Sequence, residues 1–249
     1  MRFTPIPQAL HSLFIVLALL ATSACNTSNY EKYGVVETFH GRPVMPKTIP
    51  RQIIGPMPAG SFPSQEPKQI VVMDSGADLR NQTAMTYLQE LLERYNSGGR
   101  GDLPAHYFID RQGTIFTGRP LHVPAKFFHG DPFTYRTSEL QDERQFLQAR
   151  LQRVNGEPID LQGAIVIMVL GDFAETLVSE EQEQALFQTI AHLTFEQDIP
   201  RENVMLFSDR APDSGNPGFY LKNYLNWNTV EKNLPPPPGR SRLFYQAQN

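Results

Sequence analysis

The run at residues 164–170, Ala-Ile-Val-Ile-Met-Val-Leu, contains no polar residue. A strand with one solvated face alternates apolar and polar side chains, whereas a run this apolar is typical of a strand that is buried on both faces. Burial on both faces requires packed layers above and below the sheet. The chain therefore has to build a sheet that is covered on each side.

Other segments predict the remaining strands and helices. Apolar runs and a turn-forming glycine predict a strand at residues 70–73, a hairpin at 106–117 and a strand at 204–207. Apolar spacing of three and four residues, with end signals, predicts helices at residues 84–95, 138–154, 179–198 and 219–227. Strands that alternate with helices predict the α/β fold class, with a mixed central β-sheet flanked by helices on both faces in a single domain at residues 69–228.

Residues 1–24 have the order of a secretory leader. Arg2 precedes an apolar stretch at residues 13–21, and small residues follow directly before Cys25. The stretch is too short to span a membrane. This order resembles the lipobox of bacterial lipoproteins, which implies that Cys25 is acylated and anchors the protein in a lipid membrane. Asn26 resembles a sorting signal for the outer membrane, at its periplasmic face. The alternative is an ordinary secretory signal followed by an incidental cysteine.

The composition excludes two properties. The formal net charge is −4, and the Lys and Arg residues are scattered rather than grouped. No nucleic-acid partner is predicted, because phosphate binding needs a basic face. Cys25 is the only cysteine, so an intramolecular disulfide is excluded and the domain must be stabilised by packing.

Proline-rich segments flank the predicted domain. Residues 25–68 include seven prolines between positions 41 and 67. Because proline fixes φ and lacks an amide donor, this segment is not expected to form a long helix or an inner strand. It is either a tether that holds the domain off the membrane or an arm wrapped on the domain. The tail at residues 229–249 has four consecutive prolines and is either a recognition segment for an envelope protein or a disordered end.

Five short motifs follow one another between residues 69 and 227. They are Ala-His-Tyr-Phe-Ile-Asp-Arg-Gln-Gly-Thr-Ile-Phe at 105–116, Phe-His-Gly at 128–130, Gly-Asp-Phe at 171–173, Ile-Pro-Arg-Glu-Asn-Val at 199–204, and Ala-Pro at 211–212 with Asn-Pro-Gly at 216–218. Together they resemble the zinc-dependent N-acetylmuramoyl-L-alanine amidases, whose type is shared with peptidoglycan-recognition proteins. The resemblance implies an amidase-like domain and peptidoglycan or a muropeptide as the partner.

The resemblance also implies where zinc would bind. The family holds zinc with two His and one Asp or Cys, and the matching positions are Met73, Phe207 and Asn216. Met168 stands at the position of a catalytic Glu, and Ser214 at that of a Lys that stabilises the oxyanion. A thioether, a phenyl ring and a neutral amide do not provide the ligands that zinc needs. No cofactor and no catalytic residue are therefore predicted, and the chain is interpreted as a pseudoenzyme.

Polar residues near these positions are the predicted ligand-binding groups. They are His106, His129, Asp74, Asp209, Arg210 and Asn216. Stem-peptide carboxylates suit Arg210, and stem-peptide amides suit the other groups. The sequence thus predicts a lipid-anchored periplasmic protein that binds peptidoglycan or an envelope partner without hydrolysing it.

Two alternatives stay open. The chain is an active amidase if a metal binds at a relocated site built from His106, His129 and either Asp74 or Asp209. It is an envelope interaction scaffold if the proline-rich segments dock on another protein. Metal content distinguishes the active amidase from a binding protein without a metal. Deletion of the proline-rich segments distinguishes the scaffold from a protein that binds through its domain.

Overall fold

The computed structural model describes residues 37–57, 62–97, 101–128, 158–211 and 216–225. All of them lie in the second of the two units into which the chain divides, Met1–Val35 and Val36–Asn249. The leader, the helix predicted at residues 138–154 and the tail lie outside the described residues. No helix in the described part of the chain is long and apolar enough to cross a membrane.

A six-stranded sheet forms the centre of the domain. Its strands are β3 (Thr48–Ile49), β4 (Gln69–Asp74), β5 (Tyr107–Ile109), β6 (Ile115–Thr117), β9 (Ala164–Val169) and β10 (Val204–Leu206), in the order β10-β4-β9-β5-β6-β3. Strand β4 is parallel to β10 and β9, and β5 is parallel to β9 but antiparallel to β6. The mixed sheet predicted from the sequence is confirmed.

The fully apolar run forms β9, which lies between β4 and β5, and all six of its residues are buried. Neighbouring side chains of β4 point to opposite faces, so Val71 and Met73 join one hydrophobic cluster while Ile70 and Val72 join the other. Helix α2 (Ala84–Ser97) packs in the first cluster. Helices α3 (Glu180–Glu196) and α4 (Phe219–Tyr224) pack in the second. Each face of the sheet is therefore covered, as predicted.

The start of α3 and the β5–β6 hairpin fit together. The hydroxyl of Ser179 accepts a hydrogen bond from the Gln182 amide, and the Gln182 side chain accepts one from the Ser179 amide, so the two residues form a capping box. In the hairpin turn, Gly113 has a φ of 74°. A Cβ atom there would lie 2.6 Å from the carbonyl oxygen of Glu181. Glycine is required both by the backbone angle and by the close approach of α3.

The described part of the proline-rich segment packs on the domain. It forms a hairpin of β1 (Thr38–Phe39) and β2 (Arg42–Pro43), then the edge strand β3 paired with β6, then the one-turn helix α1 (Arg51–Ile54). Arg51 makes a buried ion pair of 2.7 Å with Asp102. The sequence left open whether this segment is a tether or an arm wrapped on the domain. Residues 37–57 and 62–68 form a wrapped arm.

Two short elements complete the described fold. Strands β7 (Phe127–Phe128) and β8 (Pro158–Ile159) pair as a separate two-stranded sheet. The last strand of the central sheet is shorter than predicted, because a 3-10 turn begins at Phe207 and extends to Asp209. This turn redirects the chain at the edge of the sheet.

Candidate ligand-binding site

Asp74 and Asn216 form a buried hydrogen-bonded pair at the carboxyl end of β4. Asn216 accepts a hydrogen bond from the Asp74 amide at 2.9 Å and donates to the Asp74 carbonyl and carboxylate at 2.8 and 3.1 Å. The Asp74 carboxylate also accepts from the amides of Gly76 at 3.1 Å and Gly218 at 2.5 Å. The lone pairs of this carboxylate are thus directed at backbone and side-chain N–H donors of the protein itself.

The other two positions matched to zinc ligands lie in the hydrophobic core. Met73 and Phe207 are both 0% exposed and belong to the same cluster. The ring of Phe207 packs against Phe127 with centroids 5.4 Å apart. Met168, at the position matched to the catalytic Glu, is buried in that cluster too. Apolar packing surrounds these three side chains, which have no atom suited to bind zinc.

No group of three His, Cys, Asp or Glu side chains that could hold a metal occurs among the described residues. The relocated metal site considered from the sequence used His106, His129 and an aspartate. Of these, His129 lies outside the described residues, and Asp74 is engaged as described above. The residues present in the described part do not fit a zinc ion.

His106 is a core residue rather than a groove residue, which corrects the expectation from the sequence. It is 0% exposed. Its Nδ1 accepts a hydrogen bond from the Val166 amide at 2.9 Å, so Nε2 carries the proton and donates to the Val123 carbonyl at 3.0 Å. Burial lowers the pKa of His106 to about 4. The imidazole is neutral and joins three segments of the core.

Asp209 and Arg210 both lie on the surface, and Arg210 is directed away from Asp74, which corrects its predicted place in the group. The Asp209 carboxylate accepts a hydrogen bond from the Leu206 amide at 2.9 Å. Arg210 contacts the Met205 sulfur and the Gln69 side chain. Gln69 and Asp74 are opposite ends of β4, which are about 16 Å apart at the usual rise per residue. The 3-10 turn has directed Arg210 back along the edge of the sheet.

A pocket of about 970 Å³ opens where three neighbouring strands end. The loop after β4, the turn after β5 and the loop after β9 line it, together with the first residues of α2 and α3. These are the carboxyl ends of parallel strands, where open α/β sheets usually bind ligands. The pocket is therefore the candidate site of the described domain.

Arg111 is the cation that the pocket offers to a ligand. Arg80 also lines it, but its guanidinium is already bound to the Asp78 carboxylate at 2.6–2.9 Å. That hydrogen bonding holds the pKa of Asp78 at about 2. Arg111 is exposed, and its side chain makes no ion pair with any residue that the structure describes. A carboxylate group can bind it bidentately.

The rest of the lining includes acidic and apolar residues beside neutral polar ones. Asp172 and Glu175 lie in the loop after β9, where one Asp172 oxygen accepts the Ala174 amide at 3.0 Å. Phe116 and Met85 contribute apolar surface, and Leu177 is 65% exposed at the rim. The pocket therefore presents a cation, carboxylates and apolar contacts to one ligand, a combination that suits a peptide with both carboxylate and ammonium groups.

Arg111 and the loop after β9 were not among the binding residues predicted from the sequence. Both occur inside motifs that were used only to identify the fold. Their position directly after two predicted strands was the available signal, since the ends of parallel strands meet at one edge of a sheet.

No protein-family model and no curated protein matches the sequence, but solved structures do. The endolysin N-acetylmuramoyl-L-alanine amidase LysCS from Clostridium intestinale matches with a TM-score of 0.53 and 18% identity over 77% of this chain and 98% of that one. Drosophila peptidoglycan recognition protein SD matches with a TM-score of 0.53 and 15% identity over 72% and 94% of the two chains. Drosophila PGRP-LB matches with a TM-score of 0.52 and 16% identity over 74% of this chain and 95% of that one. At these identities the likeness concerns the fold, and the chain has the mixed-sheet fold of N-acetylmuramoyl-L-alanine amidases and peptidoglycan recognition proteins.

Proposed function

We propose that this protein is a lipid-anchored envelope protein that binds peptidoglycan stem peptides without hydrolysing them. The observation that carries the proposal is the pairing of Asp74 with Asn216. It fills the end of β4 with hydrogen bonds between protein groups, at a position where the amidase resemblance requires an open metal site. The fold is kept, and the ligands of the metal are replaced.

The kind of ligand is inferred from the structural neighbours. Their names describe amidases that act on N-acetylmuramoyl-L-alanine and proteins that recognise peptidoglycan. A stem peptide offers carboxylates for Arg111 and backbone amides for Gln112, which both line the pocket. Asp172 and Glu175 suit an ammonium group of the same ligand. The pocket supplies binding contacts for such a peptide.

Hydrolysis is not proposed because the matching positions hold no side chain that could bind the metal or act as the base. Amide hydrolysis of the zinc type needs a metal-bound water and a base to accept its proton. Met73, Phe207 and Met168 are buried apolar side chains at the corresponding positions. The protein is therefore proposed to work without zinc or another cofactor.

Location follows from the N-terminal sequence. Acylation of Cys25 would attach the protein to the outer membrane, and Asn26 favours that membrane over the inner one. The domain would then lie at the periplasmic face, where peptidoglycan is available as a partner. The proposed location and the proposed ligand belong to the same compartment.

Sedimentation with purified sacculi tests the proposed ligand. Arg111→Ala is expected to reduce the bound fraction, because the ligand loses its charge-assisted hydrogen bonds, by about tenfold in affinity. Arg210→Ala is the matched control, since Arg210 is an exposed arginine bound to Gln69 and Met205 outside the pocket. It is expected to bind like the wild-type protein. Equal binding by the two variants would refute the proposed site. No binding by the wild-type protein would refute the proposed ligand.

A further inference from the structure

The β1–β2 hairpin exposes an aromatic side chain at its tip. Phe39 pairs with Arg42, and the two residues between them, His40 and Gly41, have φ angles of 51° and 78°. These angles belong to the tight turn that joins two strands directly. Phe39 is 69% exposed. Its ring meets the His40 ring edge-on, with the two ring centroids 4.2 Å apart. A large apolar ring thus points into solvent from a short turn.

The hairpin is fixed to the domain through its backbone. Gln188 of α3 accepts a hydrogen bond from the Glu37 amide at 2.7 Å and donates to the carbonyls of Glu37 and Val44 at 2.8 and 2.6 Å. His192 contacts the Pro43 carbonyl at 3.0 Å. The hairpin therefore holds Phe39 in a defined direction relative to α3.

Helix α3 connects this hairpin to the pocket. Gln182 lines the pocket in the first turn of the helix. Phe195 lies in its last turn and carries the Arg42 guanidinium 5.9 Å above its ring centre. They are 13 positions apart along the chain, which corresponds to about 20 Å of helix. Phe39 and the pocket are thus at opposite ends of α3.

We propose that the hairpin tip is a lipid-contact site that inserts Phe39 into the membrane surface and turns the pocket away from it. The inference rests on the lipid anchor of the proposed function. Phe39 follows Cys25 by 14 residues, a distance of at most about 50 Å when extended, so the tip is within reach of the anchored lipid. Apolar side chains of surface-bound proteins, Phe among them, are buried at the boundary between headgroups and acyl chains.

The neighbours of Phe39 suit the same surface. His40 and Arg42 flank the ring on the hairpin and are both exposed. A basic side chain beside an inserted aromatic ring can contact lipid phosphates. The acyl chains of Cys25 would supply attachment, and Phe39 would supply orientation. With Phe39 at the lipid, the pocket at the other end of α3 faces the peptidoglycan layer.

The test places a single tryptophan at each end of the domain. Trp227 is the only tryptophan in the chain, so Trp227→Phe with Phe39→Trp reports on the hairpin alone. Trp227→Phe with Leu177→Trp reports on the pocket rim, at a residue of similar exposure. The full acylated proteins are incorporated into phosphatidylethanolamine and phosphatidylglycerol vesicles with or without brominated acyl chains.

The expected result with brominated lipids is a blue shift and loss of emission for the Phe39→Trp protein, and no change for the Leu177→Trp protein. Equal emission from the two proteins, or quenching of the Leu177→Trp protein, would overturn the inference. If mass spectrometry finds Cys25 unmodified, the anchor of the proposed function is refuted. The same chains are then coupled through Cys25 to a maleimide lipid, where an unquenched Phe39→Trp protein still overturns the inference. If the Phe39→Trp protein is quenched but does not bind sacculi, the result counts against the proposed ligand only and supports the hairpin contact.

Discussion

The side-chain amide of Asn216 makes three hydrogen bonds to Asp74, two with its backbone and one with its carboxylate. Both residues are buried, with 2% and 3% of their surface exposed. The pair ties the segment before α4 to the carboxyl end of β4, across 142 residues of sequence. Its contribution is to the stability of the fold at the end of β4.

Asn216→Ala is expected to lower the free energy of unfolding by about 2–4 kcal/mol, because a buried carboxylate and two backbone groups lose a partner. Asn203→Ala is the matched control. Asn203 makes one exposed hydrogen bond, to the Lys68 carbonyl, and its loss is expected to cost less than about 1 kcal/mol. Urea denaturation measures both values. Similar small losses in the two variants would contradict the structural role of Asn216.

Phe207→His introduces a residue type that binds zinc, but it is not expected to create a metal site. The imidazole would replace a ring that packs on Phe127 in the core, so the variant is expected to lose about 2–4 kcal/mol of stability. Added zinc should leave its thermal midpoint unchanged, since only a bound ligand stabilises the folded state. A rise of the midpoint with zinc concentration would show that the site can still form.

His106 predicts a dependence of stability on pH. Burial lowers its pKa to about 4, below the usual value of about 6.5. Between these values the unfolded chain binds a proton that the folded chain excludes. The contribution of His106 to the free energy of unfolding is therefore complete above about pH 6.5. It falls by on the order of 3 kcal/mol as the pH drops to about 4. His106→Gln removes this proton uptake, so its stability should fall less than that of the wild-type protein. Urea denaturation midpoints of the two proteins at several pH values measure this difference. Equal slopes of stability against pH for the two proteins would contradict the expectation.

Glu183 predicts a pH dependence of the opposite sign. Burial, with the nearby Glu180 charge, raises its pKa to about 7. The neutral form is favoured in the folded state, so the contribution is present below the ordinary pKa and is lost as the pH rises through about 7. Glu183→Gln should therefore gain stability over the wild-type protein as the pH rises. Glu181→Gln, an exposed neighbour, is the control and should change stability by less than about 0.5 kcal/mol. A variant that is no more stable than wild type at pH 8 would refute this effect.

Local sequence patterns predicted the elements that local interactions form. The apolar run of β9 and the apolar spacing of α3 each specify their element by local residues, and both elements are confirmed. The proline-rich arm was different. Pairing of β3 with β6 joins Thr48 to Ile115, and such a long-range pairing leaves no periodic signal in either segment.

The site was harder to predict because side-chain direction depends on distant backbone. His106 is buried through carbonyl and amide groups of Val123 and Val166, which the motif does not contain. Arg210 leaves the site because the 3-10 turn at Phe207–Asp209 reverses its direction. Arg111 enters the pocket because the turn after β5 meets the loop after β9. None of these relations is encoded by the identity of the residue alone.

The most direct test of the central claim is mass spectrometry of the soluble fraction after the protein has been incubated with purified sacculi and sedimented. The account predicts that the protein sediments with the sacculi and that no stem peptide appears in the soluble fraction, with or without added zinc. Binding without release is expected because Met73, Phe207 and Asn216, at the positions matched to the zinc ligands, are buried and engaged with other protein groups. Release of stem peptides by the wild-type protein would contradict the account.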